Sequence, residues 1–387
     1  MTAAPDQNPA PGPATGAVVV EDARIMAVLP ATVPAPDPAP DDRPEARPDD
    51  RPAVVRAPPG GWIMPGLVDI HCHGGGGAGF DEGGVAARAA ADFHRQRGVT
   101  SIVASLVSAP RGALLRQVGE LAPLVADGTL LGIHLEGPYL SPARRGAHDP
   151  ATLREPDLGE LRELLAAGAG TIAMVTLAPE LPGALAAVDL LVARGVRVAV
   201  GHTDATAAQT RAALSHGATV ATHLFNGMRP LHHREPGPVL AICEDRSVFA
   251  ELIADGHHLA ADVLRASMRL LGQRAVLVSD AVAAAGRPDG RYRLGGTEVA
   301  LVGGVVRTTD GSLAGSTLTL ASALRTTVES GVALAVAVHA ATAAPAAALG
   351  MASGALAVGQ PADLVLLDGS LAVSAVMRAG RWVDRTS

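Results

Sequence analysis

Pro65-Gly66-Leu67-Val68-Asp69-Ile70-His71-Cys72-His73-Gly74 decides how the rest of the chain is read. The run 63–70 is short, apolar and bounded by Pro and Gly, which predicts a strand buried inside a parallel sheet rather than a helix. Side chains two apart on a strand share a face, so His71 and His73 point one way while Cys72 faces the other and packs. A single His-x-His pair is compatible with metal ligation or with structural hydrogen bonding.

Recurrence separates these alternatives. The apolar runs 130–135, 196–200, 218–222 and 275–278 end at Glu136, Gly201-His202, His223 and Ser279-Asp280. Ala- and Leu-rich, helix-like stretches lie between them at 84–96, 157–167, 181–194 and 205–216. Strand and helix alternating in this way build βαβ units around a parallel sheet, whose C-terminal strand ends gather on one face. The expected class is therefore α/β, a (β/α)8 TIM-type barrel, in which that face carries the active site. Strand ends bearing His, Glu or Asp in succession predict a metal centre there.

At 387 residues the chain exceeds the usual single-domain length, yet barrels of about 250 residues fold as one unit. Hydrophobic residues make up 48% and aromatic residues 2%, so the core must be assembled from Ala, Val and Leu. A net charge of -7 with no basic stripe argues against a nucleic-acid or anionic-membrane partner. No apolar run approaches the roughly 20 residues needed to span a bilayer. The Pro/Ala-rich start lacks a basic-then-apolar leader, and two cysteines provide no disulfide framework, so a cytoplasmic location is expected. There is no lysine; all 31 basic residues are arginine. Schiff-base chemistry, a P-loop lysine and a carbamylated-lysine bridge are thereby excluded, and any group bridging two metals must be a carboxylate.

Residues 1–16 are expected to be a disordered tail and 32–53 a mobile segment, both Pro/Asp/Ala/Arg-rich and aperiodic. Between them 18–29 alternates like a strand pair, and 359–368 and 374–382 read as further strands. The terminal strands, within 17–64 and 356–387, are expected to form a small β-sandwich beside a barrel spanning 65–355. Residues 292–308 are either an insertion between barrel elements or a hairpin over the site. Gly74–Gly79 matches Gly-x-Gly-x-x-Gly, but it follows His-x-His with no clear helix after it, so a nucleotide site is not expected. His232-His233 reads as a solvated loop pair, and Cys243 as a buried thiol with nothing to activate it.

Eight motifs carry a family resemblance: the opening decapeptide, His134-Leu-Glu-Gly-Pro-Tyr139, Gly201-His-Thr-Asp-Ala205, Thr222-His-Leu-Phe-Asn-Gly-Met228, Arg234-Glu-Pro-Gly237, Ala254-Asp-Gly-His-His258, Ser279-Asp-Ala281 and Ala314-Gly-Ser-Thr-Leu-Thr319. In this order, over about residues 17 to 385, they resemble the N-acetylglucosamine-6-phosphate deacetylase family of the amidohydrolase superfamily. Glu-Gly-Pro, His-Leu-Phe-Asn and Arg-Glu-Pro-Gly are specific to that branch, whereas His-x-His alone is not.

The resemblance implies a principal divalent metal on Glu136, His202 and His223, with His71 and His73 completing a second site that shares Glu136, hence one or two ions per subunit. Zinc is the first expectation, but such ligands also accept iron, manganese or cobalt. Asp280 matches the catalytic aspartate, the general base and then acid; its plainer alternatives are metal ligation or a helix cap. Ala147 and His148 fall near the substrate carbonyl. Asn226, Gly227 and His258 match sugar-phosphate contacts, with Gly227 departing from the family's alanine. Arg234 matches an arginine that reaches the phosphate bound by a neighbouring subunit, which implies a homodimer. Leu318 and Thr319 match the loop covering the sugar. The implied reaction is hydrolysis of N-acetylglucosamine 6-phosphate by metal-activated water, giving glucosamine 6-phosphate and acetate. The alternatives are a related deacylase acting on N-acetylgalactosamine 6-phosphate or N-acyl amino acids, and a non-catalytic assembly barrel; relatives of the last kind lose metal ligands, whereas every ligand is kept here.

Overall fold

The computed structural model describes residues 16–30 and 53–384. The expected tail and mobile segment lie outside these, apart from Gly16 and Ala53, which begin strands. Eight strands, Leu67–Cys72, Val99–Val107, Gly132–Glu136, Ile172–Leu177, Arg197–Val200, Val220–Ala221, Phe249–Ile253 and Ala275–Val278, pair in parallel in chain order. The backbone N–H of Asp280 donates to the His71 carbonyl at 2.9 Å and that of His73 to the Ala281 carbonyl at 2.8 Å. The last strand thus returns to the first at the end where the candidate residues lie. Inside, Val68, Ile70, Val103, Met174, Ala199, Val220, Ile253, Val276 and Val278 form one apolar cluster with Ala344 and Ala348. With so few aromatics, small branched side chains fill the interior, as the composition requires.

Helices follow the strands and cover the outer face. Their starts are locally encoded: Asp157 accepts from the backbone N–H groups of Gly159 and Glu160, and Thr206 with Gln209 forms a complete capping box. Thr206→Ala should lower unfolding stability by about 1 kcal/mol, measurable as a lower denaturant midpoint with unchanged slope.

The apolar run 63–70 is not one strand. Trp62–Pro65 pairs antiparallel with Leu364–Leu367, and the barrel strand begins only at Leu67. Between them the Gly66 N–H donates to the Asp363 carbonyl at 2.8 Å, and a Cβ at Gly66 would lie 2.1 Å from the Thr100 hydroxyl oxygen. Glycine lets the chain change sheets under that close contact. The sheet that Trp62–Pro65 joins also contains Val373–Arg378 and Arg381–Trp382. It faces a second sheet of Gly16–Glu21, Arg24–Pro30 and Ala53–Arg56. Val18, Val20, Ile25, Val55, Ile63, Leu364, Leu366 and Met377 fill the space between, making the small sandwich.

Gly290–Leu294, Thr297–Val302 and Val305–Thr308 form an antiparallel sheet inserted between the last barrel strand and the helix Leu320–Glu329. The glycine run after His73 makes a short hairpin, in which a Cβ on Gly75 would sit 2.6 Å from the Phe93 ring. Those glycines serve close packing. Among the described residues no helix is long and apolar enough to cross a membrane.

Candidate metal centre and active site

Strand geometry brings the titratable strand ends to one point. Glu136 Oε1 lies 3.1 Å from His202 Nε2, 3.1 Å from His223 Nε2 and 3.5 Å from His71 Nε2. Its second oxygen, Oε2, is 3.2 Å from His73 Nε2 and 3.4 Å from His148 Nε2. Asp280 Oδ1 is 3.3 Å from His73 Nε2 and 3.5 Å from His71 Nε2. All seven side chains are buried.

His202, His223 and Asp280 leave their strands with φ of 46°, 27° and 48°, in the left-handed region that costs non-glycine residues of order 1–3 kcal/mol each. Backbone bonds hold them there: Ser141 N–H donates to the His202 carbonyl and Ser316 N–H to that of Asp280. Between Asp69 and Cys72 the first strand carries one residue more than its neighbour does between Ile102 and Ala104. Such a bulge re-aims side chains, here the histidine pair.

The hydrogen bonds fix the tautomers of the ring nitrogens. Nδ1 of His73, His202 and His223 faces the carbonyl oxygens of Ser105, Arg144 and Asn226 at 3.2, 2.8 and 3.1 Å, while Nδ1 of His71 faces Glu251 Oε2 at 2.8 Å. Acceptors on that side require Nδ1–H, so each neutral ring presents a bare Nε2 lone pair to the centre. Those lone pairs meet one another: His202 and His223 Nε2 are 3.1 Å apart, and so are His71 and His73 Nε2. With the Glu136 carboxylate among them, the arrangement has acceptors and no donor, which fits a bound cation. Burial alone would depress the His71 pKa, but Glu251, Glu136 and Asp280 hold it well above its ordinary value; His73, likewise buried, is raised to about 9 beside Asp280 and Glu136. The same imbalance holds Glu136 well below the usual carboxylate range despite its burial, and brings Asp280 down to about 2.

His148 is wired differently. Its Nδ1 accepts the Ser108 backbone N–H at 3.2 Å, so its proton sits on Nε2. It lies close enough to Glu136 and His202 to be counted with them as a ligand set, but a protonated Nε2 cannot ligate. Burial lowers its pKa to about 4, leaving a neutral ring that donates.

A cavity of about 310 Å³ opens onto this cluster, lined by His73, Glu136, His202, His223 and Asp280 together with Ala147, His148, Asn226, Gly227 and His258. Val107, Leu294 and Leu313 add apolar surface. His258 Nδ1 is 2.7 Å from Asp255 Oδ2; burial opposes its charge, but Asp255 prevails and its pKa is raised.

Four expected residues lie off the lining: His71, which still meets Glu136 in the cluster, and three that stand apart from it. Arg234 is exposed, with His233 Nε2 2.8 Å from its guanidinium. Leu318 is half-buried against the core, and the Thr319 hydroxyl caps the helix Leu320–Glu329 by accepting from the Ser322 N–H. The part of that loop facing the cavity is Ser312, Leu313 and Gly315.

Two groups of functional side chains escaped the sequence. Glu251, in the strand Phe249–Ile253, holds His71; a lone acid within an apolar run was the available signal. Beneath the cluster His134 bridges Ser105 Oγ at 2.9 Å and Thr176 Oγ1 at 2.8 Å, and Thr176 reaches Thr222 at 2.7 Å. On the outer side of the first strand His94 Nε2 faces the Gly74 carbonyl at 2.9 Å, with the Cys72 sulfur 3.3 Å away, so Cys72 packs there.

The amidohydrolase family model matches residues 62–383. The chain belongs to that family. Among curated relatives, N-acetylgalactosamine-6-phosphate deacetylase of Escherichia coli O157:H7 is 42% identical over 327 residues, covering 82% of this chain and 87% of that protein. N-acetylglucosamine-6-phosphate deacetylase of Vibrio furnissii is 41% identical over 263 residues, 67% of this chain and 66% of that protein. Among solved structures, N-acetyl-D-glucosamine-6-phosphate deacetylase from Mycobacterium smegmatis, an aspartate-to-alanine variant in complex with N-acetyl-D-glucosamine-6-phosphate, superposes with TM-score 0.87 at 45% identity, covering 95% of this chain and 94% of that one. A metal-dependent amidohydrolase follows from the family and from the donor set.

Proposed function

We propose that the chain hydrolyses the acetamide of N-acetylglucosamine 6-phosphate to glucosamine 6-phosphate and acetate. The observation that carries this is the convergence of Glu136, His202 and His223 within 3.1 Å contacts, with Asp280 beside them in the cavity. Those three would hold the principal cation, zinc by first expectation, with His71 and His73 offering a second position that shares Glu136. A divalent ion there supplies Lewis acidity and makes water acidic enough to attack near neutral pH.

The chain's own groups supply the rest. Asp280, ionised in its surroundings, takes the proton of the attacking water. It returns that proton to the amide nitrogen as the C–N bond breaks, so acetic acid and a neutral amine leave, and the acid then gives its remaining proton to the amine or to solvent, leaving acetate. His148 donates from Nε2 to the carbonyl oxygen as it gains charge, and Ala147 packs beside it. Asn226 and Gly227 line the sugar side, and His258, whose pKa Asp255 raises, suits a phosphate ester. Arg234, exposed and outside its own cavity, is assigned to the phosphate in the site of a second copy, where its planar fork fits three oxygens. Leu318 and Thr319 would support the loop over the sugar, and the protein would work as a cytoplasmic homodimer.

Acetate release should be measured with the 6-phosphates of N-acetylglucosamine and N-acetylgalactosamine and with the unphosphorylated sugars. Turnover of the gluco-phosphate, with little from the free sugar, is expected; equal rates with and without phosphate would contradict the assignment. The galacto epimer belongs in the assay because the Escherichia coli relative bears its name. Arg234→Ala should raise KM for the phosphorylated sugar by about tenfold or more, the loss of one charge-assisted contact, while leaving the unphosphorylated rate unchanged.

A further inference from the structure

Glu251 is fully buried, lies off the cavity lining, and has no part in the chemistry above. One of its oxygens, Oε2, accepts from His71 Nδ1–H at 2.8 Å and from the backbone N–H of His223 at 3.1 Å. A single carboxylate therefore ties a ligand of one metal position to the backbone of a ligand of the other, 180 and 28 residues away in the chain. The other oxygen, Oε1, is buried without a hydrogen-bond partner among the described residues. A buried carboxylate needs a compensating positive charge, and among the described residues Glu251 forms an ion pair with His71 alone. Because His71 carries its proton on Nδ1, that charge reaches Glu251 through the ring, from whatever sits on Nε2.

We propose that Glu251 is a positioning residue that builds the His71/His73 half-site for a resident second cation: it locks the His71 tautomer, sets its ring against His73, and supplies the negative charge that a cation on Nε2 balances. The inference rests on the metal assignment above. Carboxylates placed behind ligating histidines in this way raise ligand basicity, and their loss typically weakens metal binding about 10–100-fold.

The discriminating variant is Glu251→Gln, which keeps an oxygen to accept both N–H groups and removes the charge; Glu251→Ala removes both. Each protein should be reconstituted with zinc, equilibrated against buffered free zinc, and its bound ions counted by elemental analysis. Unfolding midpoints of the metal-free forms serve as a control on the fold. Wild type should hold two ions per chain. Glu251→Gln should bind the second about 10–100-fold more weakly, with the first ion's affinity and the metal-free midpoint unchanged, and Glu251→Ala should lose the second ion altogether. Two ions bound with wild-type affinity in Glu251→Gln would overturn the inference, as would equal weakening of both ions, which marks a general structural role. A single ion in wild type also overturns it while leaving the principal site standing. No ion in wild type removes the metal assignment and this inference with it.

Discussion

Glu136→Ala should strip the protein of bound divalent metal and lower turnover by at least about a thousandfold, some 4 kcal/mol of transition-state stabilisation. Five histidines of the site meet this carboxylate: one oxygen faces His202, His223 and His71, the second faces His73 and His148. Removing it leaves two imidazole pairs, His202 with His223 and His71 with His73, the second still beside Asp280, and no carboxylate that joins the two. No lysine exists to take over the bridging role. Elemental analysis after dialysis, together with acetate release, checks both halves of this expectation. Full metal content in the variant would show that the histidines alone suffice and that Glu136 is not the bridge.

Asp280→Asn should retain metal and turn over at least about a hundredfold more slowly, the usual contribution of a general acid/base. Asparagine is well suited as the replacement, because Asp280 sits at φ 48° and asparagine tolerates the left-handed region better than most residues. The fold is thus preserved while the proton shuttle is lost. Near-normal turnover in the variant would remove Asp280 from the chemistry.

Which parts of this architecture could be read in the chain, and which could not, follows from the range of the interactions. The barrel was readable because five of its eight strands fall in short apolar runs closed by a polar residue, a local pattern; Val99–Val107, Ile172–Leu177 and Phe249–Ile253 carry no such marker and were not read. His202, His223, Glu136 and Asp280 each terminate such a run, and the structure gathers all four into one cluster. The change of sheet at Gly66 was hidden, since 63–70 is uniformly apolar and the break is set by contacts with Thr100 and Asp363. The bulge beside His71 depends on register with a neighbouring strand and leaves no local trace. Glu251 and His134 act through partners 28 to 180 positions away, so one reads as an odd acid in a strand and the other as a motif residue without a task. Thr319 was assigned by its place in a motif, whereas its hydroxyl serves the helix that follows.

The most direct test is acetate release from N-acetylglucosamine 6-phosphate by protein depleted of metal with a chelator and then titrated with zinc. Activity should be absent after depletion and return in proportion to zinc bound, saturating at no more than two ions per chain. Undiminished acetate release from the fully depleted protein would contradict a centre in which Glu136, His202 and His223 serve to hold a cation.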